Sequence, residues 1–132
     1  MFIPKIVETA RNDIDSGIHK IKEAFGFMKF DVVIGNPPYQ ESTQGSRTSD
    51  RPIYHLFMQM AFKLAPKVTM ITPARFLFDA GDTPSAFNQT MLNDPHFRVV
   101  FYKWDSSAIF PRTQIKGGIA LDCIIKVTTQ KM

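Results

Sequence analysis

Apolar residues recur along this chain with two different periods, and the periods divide it into elements. Ile18, Ile21 and Phe25 fall at helical spacing. They predict a helix over Gly17 to Phe25, with Ser16 capping its start and Gly26 its end. Ahead of it, Ile3, Ile6, Val7, Ala10 and Ile14 fit either a helix or an irregular lead-in. Asp31 to Gly35 is a short continuous apolar run, the pattern of a strand covered on both faces. The polar stretch Gln40 to Asp50 reads as a loop. From Pro52 to about Ala65 the pattern is helical again. Ile53, Phe57, Met60, Ala61 and Leu64 form its inner stripe, and Pro66 stops it. Val68 to Thr72 predicts a second buried strand. Thr83 followed by Pro84 predicts a helix start, with Phe87, Met91 and Leu92 facing inward down to about Asn93. Arg98 to Trp104 and Ile119 to Val127 predict the third and fourth strands. In the fourth, Ile119, Leu121, Cys123, Ile125 and Val127 alternate with Ala120, Asp122, Ile124 and Lys126. That alternation predicts one less covered face, as in antiparallel strands.

Strand, helix, strand, helix, strand, strand is an α/β order with crossover connections. Ligands of such sheets bind at the carboxyl ends of the strands. Gly35-Asn36-Pro37-Pro38-Tyr39 lies at one of these ends. Ending a strand is the plain role of two prolines, since each gives up a backbone donor. They also do more. Asn36 precedes a proline and is pushed to extended geometry. The second proline then fixes the next bend, so the Asn36 side chain and the Pro37 carbonyl are presented on stiff backbone. Both are neutral acceptors. Converging on one point, they suit a group with two N–H donors, an amine. Tyr39 adds a flat face on which a planar ring can stack.

Composition narrows the class. The chain has 132 residues, which predicts one small domain, and 44% hydrophobic with 21% charged residues fits a globular fold. No stretch approaches the ~20 apolar residues of a membrane helix, so no membrane partner is expected. Lys5 and Glu8 break the first ten residues, which argues against a secretory signal. Cys123 is the single cysteine, so no internal disulfide forms and a reducing, cytoplasmic location is expected. A net charge of +4 permits a polyanionic partner without demanding one. His19, His55 and His96 are scattered with no metal-ligand spacing, and no metal is expected.

The Asn36 to Tyr39 stretch resembles motif IV, the Asn-Pro-Pro-Tyr signature, of S-adenosylmethionine-dependent N6-adenine DNA methyltransferases of the restriction–modification type. Several ordered blocks carry the likeness. Lys29-Phe30-Asp31, the apolar Val32 to Ile34, Gly35 to Gln40 and a Ser/Thr-rich loop come first. A helix like Pro52 to Phe57, a strand like Met70 to Phe76, and a late loop from Phe110-Pro111 to Ile115-Lys116-Gly117-Gly118 follow. The likeness covers roughly Asp13 to Lys126.

The resemblance implies a fold, a reaction and a set of residues. The fold would be a partial Rossmann-like S-adenosylmethionine-dependent methyltransferase sheet, about four strands with the last antiparallel, flanked by helices. Residues 1–132 would form a single partial catalytic domain. Asn36 and Pro37 would accept the two hydrogens of an adenine amine, with Pro38 stiffening the motif and Tyr39 stacking on the base. DNA would be the substrate, with the target base flipped out of the duplex. Phe110, Ile115 and Lys116 would wall the base pocket; Arg47 and Arg51, read from their place in the polar loop beside that pocket, fit either a phosphate contact or a solvated surface loop. The family's glycine-rich cofactor motif has no counterpart among Gly17, Gly26, Gly35, Gly45, Gly81, Gly117 and Gly118. The chain therefore looks like the carboxyl-side half of the domain, inactive alone. Its expected partner is the missing amino-side half, or a second copy. In the family an upstream acidic residue binds the cofactor's adenine. Asp13 is the candidate and Asp15 its competitor, while capping the next helix is the ordinary role of either; Asn36 is the second residue expected to touch the cofactor. Two other readings use the same residues: a protein-glutamine methyltransferase, and a non-catalytic remnant that binds DNA or a partner chain. The Ser/Thr-rich flank after Gln40 favours the DNA enzymes.

Overall fold

The computed structural model describes residues 2–27, 29–41, 51–112 and 114–126. The apolar lead-in is a helix, α1, over Phe2–Asn12, followed directly by α2 over Ile14–Ala24. Asp13, not Ser16, caps α2. Its carboxylate accepts from the Ser16 backbone N–H at 3.3 Å and the Ser16 hydroxyl at 2.7 Å, so Ser16 is a donor within the first turn. Gly26, at φ +68, carries the chain out of the helix as expected. Gly17 sits where the helices cross. A Cβ there would stand 2.9 Å from Ala10 Cβ and 2.9 Å from Met60 Sδ.

Strand β1 is Val32–Gly35. A two-residue antiparallel ribbon follows, β2 (Gln40–Glu41) against β3 (Arg51–Pro52). Pro52 thus closes this ribbon and does not open a helix. Helix α3 spans Tyr54–Leu64. It is buried on more than the predicted stripe, because it is the middle layer. Tyr54, Met58 and Ala61 face the sheet, whereas Leu56 and Met60, with Ile53, pack against Ile6, Val7, Ala10 and Ile18 of α1 and α2. Phe57 and Leu64 lie at the margin of that second cluster.

The rest of the chain builds the sheet. Strand β4 is Lys67–Pro73, α4 is Ser85–Asn93, β5 is Phe97–Lys103 and β6 is Ile119–Ile125. Single 3-10 turns at Arg75–Phe78 and Ser106–Ala108 link them. The four-stranded order is β1-β4-β6-β5, with β1 parallel to β4 and β6 antiparallel to both neighbours. This is the α/β sheet with an antiparallel last strand that the sequence predicts.

Of two expectations about covering, the uneven faces of β6 hold and the burial of β1 needs correction. First, the inner face of β6 carries Ala120, Asp122 and Ile124, all essentially inaccessible, while Leu121 and Cys123 are half-buried and Ile125 exposed. Phe76, Phe87 and Met58 already fill the space above the inner face, and Asp122 finds a hydroxyl partner there. Second, the buried residues of α3, α4, β4 and β6 form one cluster on one face of the sheet. The other face is uncovered among the described residues, so β1 is not buried twice: Val32 is 48% and Ile34 78% exposed. In α4, Phe87 and Met91 point inward as expected, but Leu92 is exposed and Asn88 takes the inner position instead. Val127 lies outside the described residues.

Candidate active site

Strands β1 and β4 run in the same direction, so both end at the same edge of the sheet, β4 a few residues beyond β1. Asn36 follows the end of β1, Arg75 follows the end of β4, and Gln114 to Lys116 lead into β6 from the same end. Between these segments lies a cavity of about 600 Å³. Its walls include Asn36, Pro37, Pro38 and Tyr39 on one side and Phe110, Ile115 and Lys116 on the other. Two blocks separated by about seventy residues of sequence thus share one cavity.

Each wall is held by identifiable bonds. The Tyr39 carbonyl accepts the backbone N–H groups of Ile53 at 3.0 Å and Tyr54 at 3.4 Å, which docks the motif on the first turn of α3. The Tyr39 ring meets Tyr54 edge-on, with centroids 6.4 Å apart. Its hydroxyl points at the Ile71 carbonyl of β4 over a long 3.4 Å. Burial, then the nearby Asp122 charge, pushes the Tyr39 phenol up to about 12, so it is neutral at physiological pH. On the opposite wall, the backbone N–H of Phe110 donates to the Ser106 carbonyl at 2.8 Å. The backbone N–H of Ile115 donates to the Ser106 hydroxyl at 2.8 Å. The Gly118 carbonyl accepts from Ala74 N–H at 3.0 Å and joins this loop to the end of β4.

Among the described residues, neither the Asn36 amide nor the Pro37 carbonyl has a hydrogen-bond partner, and Asn36 lies exposed on the cavity wall. Acceptors held on a proline-stiffened turn are available to an incoming donor at no reorganisation cost. Asp13 does not line this cavity. Its carboxylate is engaged at the start of α2, and the Ser16 hydroxyl holds it below its ordinary carboxylate range. Arg51 is exposed and 4.0 Å from Glu41, itself paired at 2.8 Å with Arg11. Arg47 lies outside the described residues.

Sequence reasoning leaves several cavity residues unassigned. Tyr54, Arg75, Gly81, Asp82, Thr83 and Gln114 also line it. The strand-end rule alone is a sufficient signal for Arg75, which stands two residues beyond β4. Tyr54 and Thr83 give no such signal, because the first reads as a helix face and the second as a helix start. Beneath the site, Thr72 and Asp122 share a fully buried hydrogen bond. Burial pushes the Asp122 carboxyl up to about 7, against the opposing pull of the Thr72 hydroxyl.

Comparison with known proteins gives the chain a family. A 36% identical relative over 101 residues is an adenine-specific methylase, otherwise uncharacterised, from Mycoplasma pneumoniae. The match takes in 74% of this chain and 24% of the relative, so the chain spans about a quarter of that protein's length. No solved structure matches. The model of the Eco57I restriction-modification methylase family matches residues 2–110, and the chain belongs to that family.

Proposed function

We propose that this chain carries the base-binding part of a site-specific DNA N6-adenine methyltransferase of a restriction–modification system. One observation carries the reading: Asn36 to Tyr39 face Phe110, Ile115 and Lys116 across a single cavity beyond the strand ends. About 600 Å³ is ample for one extruded purine. The adenine amine is a poor nucleophile because its lone pair is conjugated with the ring. The Asn36 amide oxygen and Pro37 carbonyl accept its two hydrogens, which turns the lone pair out of the ring. Tyr39 stacks on the base, and Phe110 and Ile115 close the apolar side against water. The catalytic contribution of these residues is positioning and fixed dipoles, with no side chain required to titrate.

S-adenosylmethionine is the methyl donor in this reading. Asp13 and Asn36, the residues assigned to it by resemblance, do not share a site: Asn36 lines the cavity, whereas Asp13 caps α2 away from the cavity wall. We therefore assign no step of this chain to the donor. Residues 1–132 alone are expected to transfer no methyl group. The test is methyl transfer by the protein that carries this chain, supplied with labelled donor and either adenine-containing duplex DNA or a glutamine peptide. Label on N6 of adenine supports the reading. Label on the peptide alone makes the protein a glutamine methyltransferase, and label on neither makes the chain a non-catalytic binding module.

A further inference from the structure

Arg75 crosses the cavity wall from the 3-10 turn after β4. Two glycines shape the slot it lies in. A Cβ on Gly117 would meet Arg75 Cγ at 2.5 Å, and a Cβ on Gly81 would meet Nε at 3.1 Å and Cζ at 3.3 Å. Both glycines sit at φ +84, a conformation that side chains rarely adopt. The stem therefore rests against Gly117 and the guanidinium against Gly81. The residue is half-buried, yet none of the ion pairs among the described residues involves it. Asp82 lines the same cavity without pairing with it.

We infer that Arg75 is a positioning residue that binds a backbone phosphate next to the extruded adenine, an inference that rests on the DNA reading above. Adenine is neutral, and Asn36 and Pro37 already meet its amine with neutral acceptors. A cation held open toward the same cavity answers to the anion of the extruded nucleotide, its phosphate. The guanidinium fork matches phosphate oxygens two at a time. Its stem is fixed between two glycines before the ligand arrives, so little rotamer freedom is lost on binding. Lys116, exposed and next in sequence to Gly117, adds a second positive charge to the cavity lining.

The experiment titrates a short single-stranded deoxyoligonucleotide containing one adenine with the 132-residue chain, from about 50 to 200 mM NaCl. Arg75→Gln should bind several-fold more weakly at the lowest salt, and its log–log salt slope should be shallower by about 0.7. Arg75→Lys should restore the slope but only part of the affinity. A neutral methylphosphonate beside the adenine should reproduce the loss in the wild-type chain and add nothing to Arg75→Gln. The wild-type half of that arm needs no variant, so a methylphosphonate without effect overturns the phosphate role even if Arg75→Gln fails to fold. If the methylphosphonate costs the wild type nothing while Asn36→Ala abolishes adenine preference, the phosphate role is wrong and the DNA reading stands. If the wild type binds the oligonucleotide without any adenine preference, both fall.

Discussion

Thr72 donates a hydrogen bond of 2.6 Å to Oδ2 of Asp122 at the centre of the sheet, and Asp122 Oδ1 has no partner among the described residues. A carboxyl so placed favours its neutral form. Its pKa rises from 3.8 to about 7, so between those values the folded chain holds a proton that the unfolded chain has lost. Its contribution therefore falls as pH rises through that window. His55 acts in the opposite sense. It is buried, with no hydrogen-bond partner for Nδ1 among the described residues, and burial, then Arg11, lowers its pKa from 6.5 to about 4. In that window the unfolded chain takes up a proton first, so stability falls as pH drops. The two slopes oppose one another, and the wild type should be nearly flat across their overlap. Asp122→Asn should leave stability rising with pH up to about 6.5, and His55→Gln should leave it falling. Each exposed slope is at most about 1.4 kcal/mol per pH unit. Denaturant melts at stepped pH check this. Parallel profiles for all three chains would contradict it.

Tyr39 separates stacking from hydrogen bonding. Among the described residues its hydroxyl makes only the long 3.4 Å contact with Ile71, so Tyr39→Phe should change little. Tyr39→Ala should weaken base capture by about 1–3 kcal/mol, or roughly 5- to 150-fold. Fluorescence of 2-aminopurine at the target position reports capture. Equal losses in both variants would give the role to the hydroxyl.

The uncovered face of the sheet predicts association. Ile34 pairs in register with Thr69, and Thr69 with Cys123, so these residues share the face that no described helix covers. Strand β1 is also an edge. A flat edge beside exposed apolar surface recruits another strand or another copy. We expect residues 1–132 to self-associate at micromolar concentration, and Ile34→Lys to reduce this. Sedimentation velocity decides, and a wild-type monomer under those conditions would contradict it.

Gly117 tests how the cavity wall is built. Gly117→Ala puts a Cβ against Arg75 Cγ and forces a side chain to φ +84. It should cost at least about 1 kcal/mol of stability. Gly35→Ala should cost little, because a Cβ there meets nothing within 4 Å and φ is not positive. Chemical denaturation of the two variants should show that order, and the reverse order would contradict it.

Periodicity in the sequence is enough for the strands of the main sheet and for α3 and α4, because those elements repeat apolar residues at 2 or 3.6 positions. It gives the uneven covering of β6 but not which face is inner, because polarity and volume conflict there. Ala120 and Asp122 are the weaker apolar candidates, yet they face inward because large rings fill the layer above and Thr72 satisfies one carboxylate oxygen. It misjudges β1 for a different reason. An apolar run reports what a strand can be buried by, and no described element covers the outer side of Val32 and Ile34. The start of α2 goes to Asp13 over Ser16 because the backbone is extended at Asp13, an angle that residue types alone do not fix. The motif at Asn36 is legible because prolines fix backbone locally. The strand-end rule gives Arg75 its place, but not its slot, which is made by Gly81 and Gly117 and exists only in the folded chain.

Whether Asn36 holds an adenine amine is tested most directly by replacing that one side chain. Asn36→Ala removes an exposed side chain with no partner among the described residues, so stability should stay within about 0.5 kcal/mol of wild type. N6-methyladenine should then be measured by mass spectrometry in DNA from a host without other adenine methyltransferases, expressing the protein that carries this chain. We expect methylation by the wild type and at least about a hundredfold less by the Asn36→Ala variant, the usual cost of losing one preorganised group. Folded Asn36→Ala protein that methylates adenine as well as the wild type would contradict the account.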